Sequence, residues 1–454
     1  MLELSSGFPI IVKTNYTISM KKILLTSVAL LLGLALVAGT KHSYKTSYPS
    51  YEGLVMAGYQ GWFRAEGDGM NVGFGHYGAR ERGRGLLFDD VHCTIDLWPD
   101  MKEYKQAYPT DFTMADGKSA TVFSSADLST SMLHFKWMKK YGIDGVFVQR
   151  FFGYTKGDRE KSVPNRVLKH CLQASSKYNR AIAVMYDLSG LSGKGEDCTS
   201  VINDWKYLVD ELKVTSQKGR KTYLHHDGKP VVAIWGIGFP DRPYKIRDIG
   251  LEKLIDFLQN DPEYGGCAVM LGVPTYWRTL GRDCVKDDYL HEIIRKADIV
   301  FPWTIGRFTS LKEDDTDRYA DLVKGDVAWA RQNDVSYAAT IFPGFSWHNN
   351  SKWEFPDHIA PVESIPRKGG SFLWKQAVAA IGSGAKMIYV AMFDEIDEGT
   401  AIFKCTPDVP VTEESEFVKI ERPSDLYLHI TGQIGKMLRG KLPLDTPLPT
   451  LPAK

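Results

Sequence analysis

The chain has 454 residues, of which 43% are hydrophobic and 24% charged, so it can bury a large core and is not expected to be disordered. Its 56 basic and 55 acidic side chains leave a formal charge of +1, which excludes a general electrostatic attraction to nucleic acid or to an anionic membrane. The aromatic share of 12% suits a large core and also a neutral ligand with flat faces.

The N-terminal segment has the pattern of a signal peptide. Lys21 and Lys22 precede an apolar run over residues 23–37, which is followed by small residues. At about 15 residues the run is short for a membrane span. We therefore expect residues 1–39 to be removed, with Met20 as an alternative start, and the mature chain to work outside the cytoplasm without a stable membrane span. Periplasmic, cell-surface and secreted locations all remain open.

Eight short apolar runs recur along the rest of the chain, and helical patterns separate them. Strands that are buried on both faces have this character, and the alternation is typical of parallel βα units. Eight such units predict an α/β fold of the (β/α)8 TIM-barrel type. The predicted strands are 54–59, 143–149, 181–186, 230–235, 267–271, 298–302, 337–341 and 386–392. The clear helices are 128–141, 167–178, 201–212, 251–259, 320–332 and 372–381.

The domain boundaries follow from this pattern. Residues 40–51 form a short linker, 52–440 the barrel and 441–454 a C-terminal tail. Residues 60–127 are too many for an ordinary connection, so we expect a long structured excursion after the first strand. An open doubly wound sheet is the alternative fold, but no glycine-rich phosphate loop follows the first strand.

Metal and cofactor sites are not predicted. The six cysteines show no CxxC pair and no zinc spacing. Their even number allows disulfides in an exported chain, and buried free thiols are the alternative. A metal-dependent hydrolase using His225 and His226 is disfavoured, because adjacent residues of an extended chain point to opposite faces and a surface turn is expected there.

Candidate binding residues come from the strand ends, since reactive groups of a barrel lie at the C-terminal ends of its strands. Aromatic rings combined with an arginine and a carboxylate around one rim favour a carbohydrate cleft over a phosphate or lipid site. For each aromatic taken alone, core packing is the more common role. The candidate substrate-binding residues from the strand ends are Tyr59, Trp62, Arg150, Tyr186, Asp187, Trp235, Trp303 and Trp347.

The eighth run leads directly into four carboxylates, Asp394, Glu395, Asp397 and Glu398. In a confined cleft they would repel one another, and at least one pKa would rise. Glycoside cleavage needs two carboxyls with different pKa values, so that one is protonated as the acid while its partner is ionised. We therefore predict Glu395 and Glu398 as the catalytic pair. A solvated acidic loop and a calcium site are the alternatives, although no repeated calcium-loop spacing is present.

The segment 393–402 also resembles the Asn-Glu-Trp-x-Glu-Gly-Thr-Gln-Ile signature of glycoside hydrolase family 99, within the broad 71/99-like group. The first strand, the entries to the second and fourth strands, and the stretch 366–370 are similar as well. The resemblance covers most of residues 52–440. It implies a retaining endo-α-mannosidase or endo-α-mannanase on a (β/α)8 barrel.

What the resemblance implies for single residues is limited to a few positions. Glu398 matches the general acid/base. Glu395 matches the residue that assists the sugar's own 2-hydroxyl in displacing the leaving group through an anhydro-sugar. Tyr59 and Trp62 match first-strand aromatics at the cleft. Arg367 matches a basic position of the family, and the resemblance adds it to the candidate substrate-binding residues.

Four departures surround these matches, because Ile396, Asp394, Ala401 and Phe403 replace Trp, Asn, Gln and Glu. Both acids are present while the neighbours that shape the sugar subsite are not, so the hydrolase class is better supported than α-mannan as the substrate. The alternatives are a catalytically inactive carbohydrate-binding protein on the same barrel, and a hydrolase of xylan, arabinan or α-glucan. Endo or exo action stays open at this point.

Overall fold

Eight parallel strands close into a barrel in the computed structural model, which describes residues 40–216, 221–310 and 312–450. The strands follow one another around the barrel in chain order, and pairing of the fourth with the fifth is part of the closed circle. They are β1 (Val55–Tyr59), β2 (Gly145–Phe151), β3 (Ala181–Asp187), β4 (Lys229–Trp235), β5 (Ala268–Pro274), β6 (Ile299–Trp303), β7 (Ser336–Ile341) and β8 (Met387–Val390). The predicted barrel and all eight predicted strands are confirmed.

Helices follow the strands and cover the outside of the barrel. They are α1 (Leu128–Tyr141), α2 (Asp158–Tyr178), α3 (Thr199–Asp210), α4 (Leu251–Asn260), α5 (Tyr289–Ile294), α6 (Asp315–Gln332), α7 (His348–Glu354), α8 (Ser371–Gly382) and α9 (Leu426–Leu438). All six predicted helices are present. Helix α2 begins nine residues earlier than predicted because its first turns are polar and mostly exposed, which leaves no apolar period to detect.

The packing inside β1 positions the site above it. The whole strand is buried, and it lies between β8 and β2 with Met56 beside Tyr389 and Gly145. A Cβ at Gly58 would lie 2.2 Å from both the Tyr389 hydroxyl and the Met392 side chain. A larger residue would require these side chains to move, so the glycine lets β8 and its following loop approach β1 closely.

The excursion after β1 is structured, as predicted. It contains two antiparallel hairpins, Ala79–Glu81 with Gly85–Leu87 and Tyr108–Thr113 with Ser119–Val122. The backbone N–H groups of Asp96 and Leu97 donate to the Ile396 carbonyl at 2.9 and 3.2 Å. These bonds tie the excursion to the loop that follows β8.

The two chain segments that flank the barrel also contact it. In the stretch predicted as a linker, Tyr51 is fully buried and donates to the Ile388 carbonyl at 2.9 Å, and the Ser47 N–H donates to the Lys221 carbonyl at 2.7 Å. In the predicted tail, the Thr446 carbonyl accepts from the Trp374 indole at 3.2 Å.

The predicted signal peptide lies outside the described residues. No helix in the part of the chain that is described is long and apolar enough to cross a membrane.

The expected surface position of His225 and His226 was wrong. Both are buried, and they form a short antiparallel pairing with the start of β4. The His225 ring nitrogens contact the carbonyls of Tyr223 and Ser43 at 2.9 and 3.1 Å, and His226 Nε2 contacts the Ser336 hydroxyl at 3.0 Å. These polar partners explain why imidazoles are accommodated inside. All six cysteines are buried free thiols.

Candidate active site

The acidic loop, residues 394–400, follows β8 at the C-terminal end of the barrel. The chain folds back sharply here, because the Met392 N–H donates to the Thr400 carbonyl at 3.2 Å and the Ile402 N–H donates to the Met392 carbonyl at 3.1 Å. The Thr400 N–H also donates to the Glu395 carbonyl at 3.1 Å. The loop therefore holds its four carboxylates in a fixed arrangement.

Glu395, three residues before Glu398 on the acidic loop, is only 3% exposed. Its Oε1 accepts from Gln60 Nε2 at 2.5 Å, and its Oε2 accepts from the Thr400 hydroxyl at 2.9 Å. Burial and the nearby charge of Glu398 raise the pKa of Glu395 well above its usual value, and the two hydrogen bonds oppose the rise. Both oxygens are thus oriented as acceptors.

Glu398 is partly exposed and lines a cavity of about 630 Å³. Burial raises its pKa to about 8, and the charges of Asp397, Glu354 and Asp187 add to the rise. Within the described residues its carboxyl accepts no hydrogen bond. Glu395 has two hydrogen-bond donors that stabilise its ionised form and Glu398 has none, so the two carboxyls lie in different environments.

The other two carboxylates of the acidic loop fix its position. Asp394 is fully buried and accepts from the backbone N–H groups of Gln60 and Gly61 at 2.8 and 2.9 Å. Asp397 lies 3.4 Å from His76 Nδ1, and burial raises its pKa while His76 opposes the rise. The solvated acidic loop considered as an alternative is therefore not what the chain forms.

Aromatic rings form a wall of the cavity that Glu398 lines. Trp62 stacks on His76 with ring centroids 3.9 Å apart, and on Phe151 at 5.2 Å. Trp347 and Trp353 line the same cavity. Of the predicted binding residues, Trp62 and Trp347 thus lie beside Glu398, where flat rings are available to a sugar face.

A second group of predicted residues lies at the ends of β3, β4 and β6. Trp235 and Trp303 meet edge to face at 5.4 Å, and the Arg242 guanidinium lies 5.1 Å from the Trp235 ring. Burial raises the pKa of Asp187, and the nearby Arg242 opposes the rise. The charge of Asp187 adds to the rise that burial causes in the pKa of Glu398.

Arg150 and Tyr186 occupy a different place from the substrate contact that was expected. Arg150 donates to both carboxylate oxygens of Asp204 on α3, through Nη2 at 2.7 Å and through Nε, and the Tyr186 hydroxyl donates to Asp204 at 2.9 Å. All three side chains are at most 2% exposed. They join the barrel to its helical layer, so the structure gives them a supporting role.

The buried pair between Arg150 and Asp204 is expected to carry much stability. Asp204→Ala leaves the guanidinium buried without its counter-charge, so we expect the free energy of unfolding to fall by about 3–5 kcal/mol. Urea unfolding measures it. As a control, Asp287→Ala removes a largely exposed pair with Arg247 and is expected to cost at most about 1 kcal/mol. Equal losses in the two variants would contradict the supporting role.

Tyr59 and Arg367 also support the site from behind. Tyr59 is fully buried, and its hydroxyl contacts His134 Nδ1 at 2.9 Å. Arg367 donates to the carbonyls of Gly399 and Ala401 at 2.8 and 2.7 Å. Neither side chain is among those that line the cavity containing Glu398, and the substrate contact predicted for them stays a prediction.

Gly399 illustrates how tightly the acidic loop is packed. Its φ is +60°, and a Cβ there would lie 2.8 Å from Ser346 Cβ and 2.9 Å from Ser346 N. We expect Gly399→Ala to destabilise the fold by about 2–4 kcal/mol, through backbone strain and overpacking together. Gly306→Ala is the control, since its φ is +75° and its Cβ would meet nothing within 4 Å, so about 1 kcal/mol is expected. Thermal unfolding compares the two, and equal shifts would contradict the packing account.

Several residues of the site were not chosen from the sequence. Gln60 directly follows β1, and the strand-end rule could have selected it. His76, Trp353 and Arg242 lie in loops or on a short helix whose positions depend on long-range packing, so no local pattern marks them. In the described ranges, no group of three or more His, Cys, Asp or Glu side chains is arranged to hold a metal ion.

Comparison with known proteins addresses the fold. The chain is similar to the solved GH99 endo-α-mannosidase from Bacteroides thetaiotaomicron, at 15% identity and a TM-score of 0.58 over 86% of this chain and 98% of that one. This chain has the fold of that enzyme. Its complex with bis-tris-propane gives a TM-score of 0.57 at 15% identity, over 85% and 98% of the two chains. No family model and no curated protein matches the sequence. The resemblance to family 99 is confirmed at the level of the fold.

Proposed function

We propose that this protein is a glycoside hydrolase that cleaves a polysaccharide or glycan, with Glu398 as the general acid/base and Glu395 as its partner. The observation that carries the proposal is the contrast between the two carboxyls. A partly exposed carboxyl with a raised pKa lines an aromatic-walled cavity, and a second, buried carboxyl of the same loop accepts from two hydrogen-bond donors. Two carboxyls in different environments supply the acid and the base of this reaction.

The first step breaks the glycosidic bond. Glu398 gives its proton to the departing oxygen, while Glu395 takes the proton of the sugar's 2-hydroxyl. The freed oxygen displaces the leaving group at C1 and forms the 1,2-anhydro-sugar that the resemblance implies. Gln60 and Thr400 keep the Glu395 oxygens oriented throughout, so the base needs no rearrangement.

The second step returns both groups to their starting state. The ionised Glu398 takes a proton from water, whose oxygen attacks C1 and opens the anhydro ring. Glu395 returns its proton to the 2-oxygen. Two displacements at C1 retain the anomeric configuration.

The substrate class that suits this route is an α-mannoside, since the 2-hydroxyl must lie trans to the departing bond. The endo-α-mannosidase with the same fold supports this choice, and the four replaced motif residues argue for testing other sugars beside it. We further propose that the enzyme works outside the cytoplasm, on the signal pattern of residues 1–39.

The raised pKa of Glu398 predicts a pH dependence. A general acid works only while it is protonated, so kcat/KM on a natural glycan is expected to fall about tenfold per unit above pH 8. It is expected to fall on the acid side as well, because Glu395 works as a base only while it is ionised and its pKa is raised above the usual value. A glycoside with a dinitrophenolate leaving group needs no proton, so its alkaline limb should disappear. Profiles for both substrates test this, and the same alkaline limb with both would contradict the assignment.

A substrate panel tests the proposed function itself. Release of reducing sugar is measured from α-mannans, α-glucans, xylans and arabinans with the wild-type protein. Cleavage of α-mannan supports the full proposal. Cleavage of another polymer supports the hydrolase and corrects the sugar, whereas binding without cleavage of any polymer would favour the carbohydrate-binding alternative.

A further inference from the structure

Exposed apolar side chains concentrate beside the proposed active site. Among the described residues, eight large hydrophobic side chains are exposed, and four of them lie on α7, on the loop that follows it, or across from it on the excursion. Exposed apolar surface gathered in one place marks a binding surface more often than scattered residues do. The four are Val91, Trp353, Phe355 and Ile359.

Trp353 lies between two cavities. It lines the cavity of about 630 Å³ that contains Glu398, and it also lines a neighbouring one of about 330 Å³ together with Val91 and Ile359. The ring centroid of Phe355 lies 5.5 Å from that of Trp347, which lines the larger cavity. The apolar rim is therefore continuous with the proposed active site.

The Trp353 ring is held in place from below. It stacks on His92 with centroids 5.0 Å apart and planes at 19°, and 37% of its surface remains exposed. His92 is buried and is fixed by Asp89 at 2.7 Å and Glu81 at 3.5 Å. One ring face is thus covered, and the other is presented to solvent without the entropy cost of ordering it.

The helix that carries Trp353 is itself anchored. Asp96 accepts from the backbone N–H groups of His348 and Asn349 at 2.7 and 2.9 Å. Asn350 and Glu354, which lie three residues before and one residue after Trp353, line the larger cavity with their polar side chains. An ordered flat apolar ring flanked by hydrogen-bonding groups suits a sugar unit, whose faces are apolar and whose rim carries hydroxyls.

We propose that Trp353 and its apolar rim bind further sugar units of the same glycan chain, beyond the units at the Glu395 and Glu398 pair. Trp353 then makes the protein prefer long glycan chains over short ones. This inference rests on the proposed function and adds the substrate length that the site selects.

The test compares Trp353→Ala with the wild type on linear α-mannan oligosaccharides of increasing length. We expect kcat/KM on long chains to fall roughly 10- to 100-fold, and the loss to become smaller as the chains become shorter. Trp353→Phe keeps a ring and should recover part of the loss. Val411→Ala, exposed and outside both cavities, is the matched control.

The outcomes separate the inference from the proposed function. A loss that is equal at every length, or absent at every length, overturns the role of Trp353 and leaves the hydrolase standing. If α-mannan is not cleaved, the series uses the panel polymer that is. Failure of the wild type on every polymer removes the proposed function and this inference with it. Sedimentation velocity tests whether the apolar rim instead binds a second copy of the chain. A wild-type dimer that becomes a monomer in Trp353→Ala would show this and overturn the inference.

Discussion

Glu398→Gln is expected to lower kcat/KM on an unactivated glycan by roughly 100- to 10,000-fold. The amide keeps the size of the side chain and removes the proton that the leaving oxygen needs. Glu398 accepts no hydrogen bond among the described residues, and its side chain is partly exposed, so the substitution leaves the fold intact. Steady-state rates on the polymer identified by the panel measure the effect.

A second substrate gives this prediction its specificity. With a dinitrophenolate leaving group, Glu398→Gln should retain most of the rate of the bond-breaking step, because that departure needs no proton. Glu252→Gln is the control, since this exposed glutamate on α4 pairs with Lys296 at 2.5 Å on the outside of the barrel. An equal loss on both substrates would argue against the acid role of Glu398.

Glu395→Gln is expected to lower kcat/KM by a similar factor, roughly 100- to 10,000-fold, but on activated and unactivated glycosides alike. The reason is that Glu395 acts on the bond that forms at C1, and an improved leaving group does not replace that assistance. The amide oxygen of the variant side chain can still accept from Gln60 or Thr400, so the loop is expected to keep its shape. Burst and steady-state kinetics on the two substrates measure the difference.

The control for Glu395 lies at the other end of the barrel. Glu52 lies shortly before β1 and is exposed, and its carboxylate pairs with Lys386 at 3.4 Å, so Glu52→Gln should act like the wild type. If Glu395→Gln recovered its activity on the activated substrate, the residue would be helping the leaving group. The roles assigned to the two glutamates would then have to be exchanged.

The barrel could be predicted because its strands are buried on both faces. Continuous apolar runs are what such strands require, and eight of them with helices between leave few other folds. The start of α2 was missed for the opposite reason, since its polar first turns carry no apolar period. The acidic loop was found because it follows the last strand directly, where a barrel places its reactive groups.

Two of the predicted binding residues show the limit of predicting a site from the ends of the strands. Arg150 and Tyr186 lie side by side in the register of β2 and β3, and both turn toward Asp204 on α3. One residue further along, Phe151 and Asp187 pair in register. Phe151 stacks on Trp62, and the charge of Asp187 adds to the raised pKa of Glu398. Side chains alternate between the two faces of a strand, so an error of one residue exchanges the cleft for the helical layer.

The distant parts of the site could not be predicted at all. His76 reaches Trp62 and Asp397 from the excursion, and Trp353 reaches the cleft because Asp96 of the excursion holds the first turn of α7. These contacts join segments that are hundreds of residues apart or lie within an irregular loop. No sequence period records them, so only the folded chain reveals which side chains meet.

The most direct test of the central claim compares the wild type with the double variant Glu395→Gln/Glu398→Gln on the polymer that the wild type cleaves. Binding is measured by affinity electrophoresis and cleavage by release of reducing sugar on the same material. The account predicts that the double variant binds within a fewfold of the wild type and releases no sugar above background. A double variant that binds and still cleaves at the wild-type rate would contradict the claim that this pair performs the chemistry.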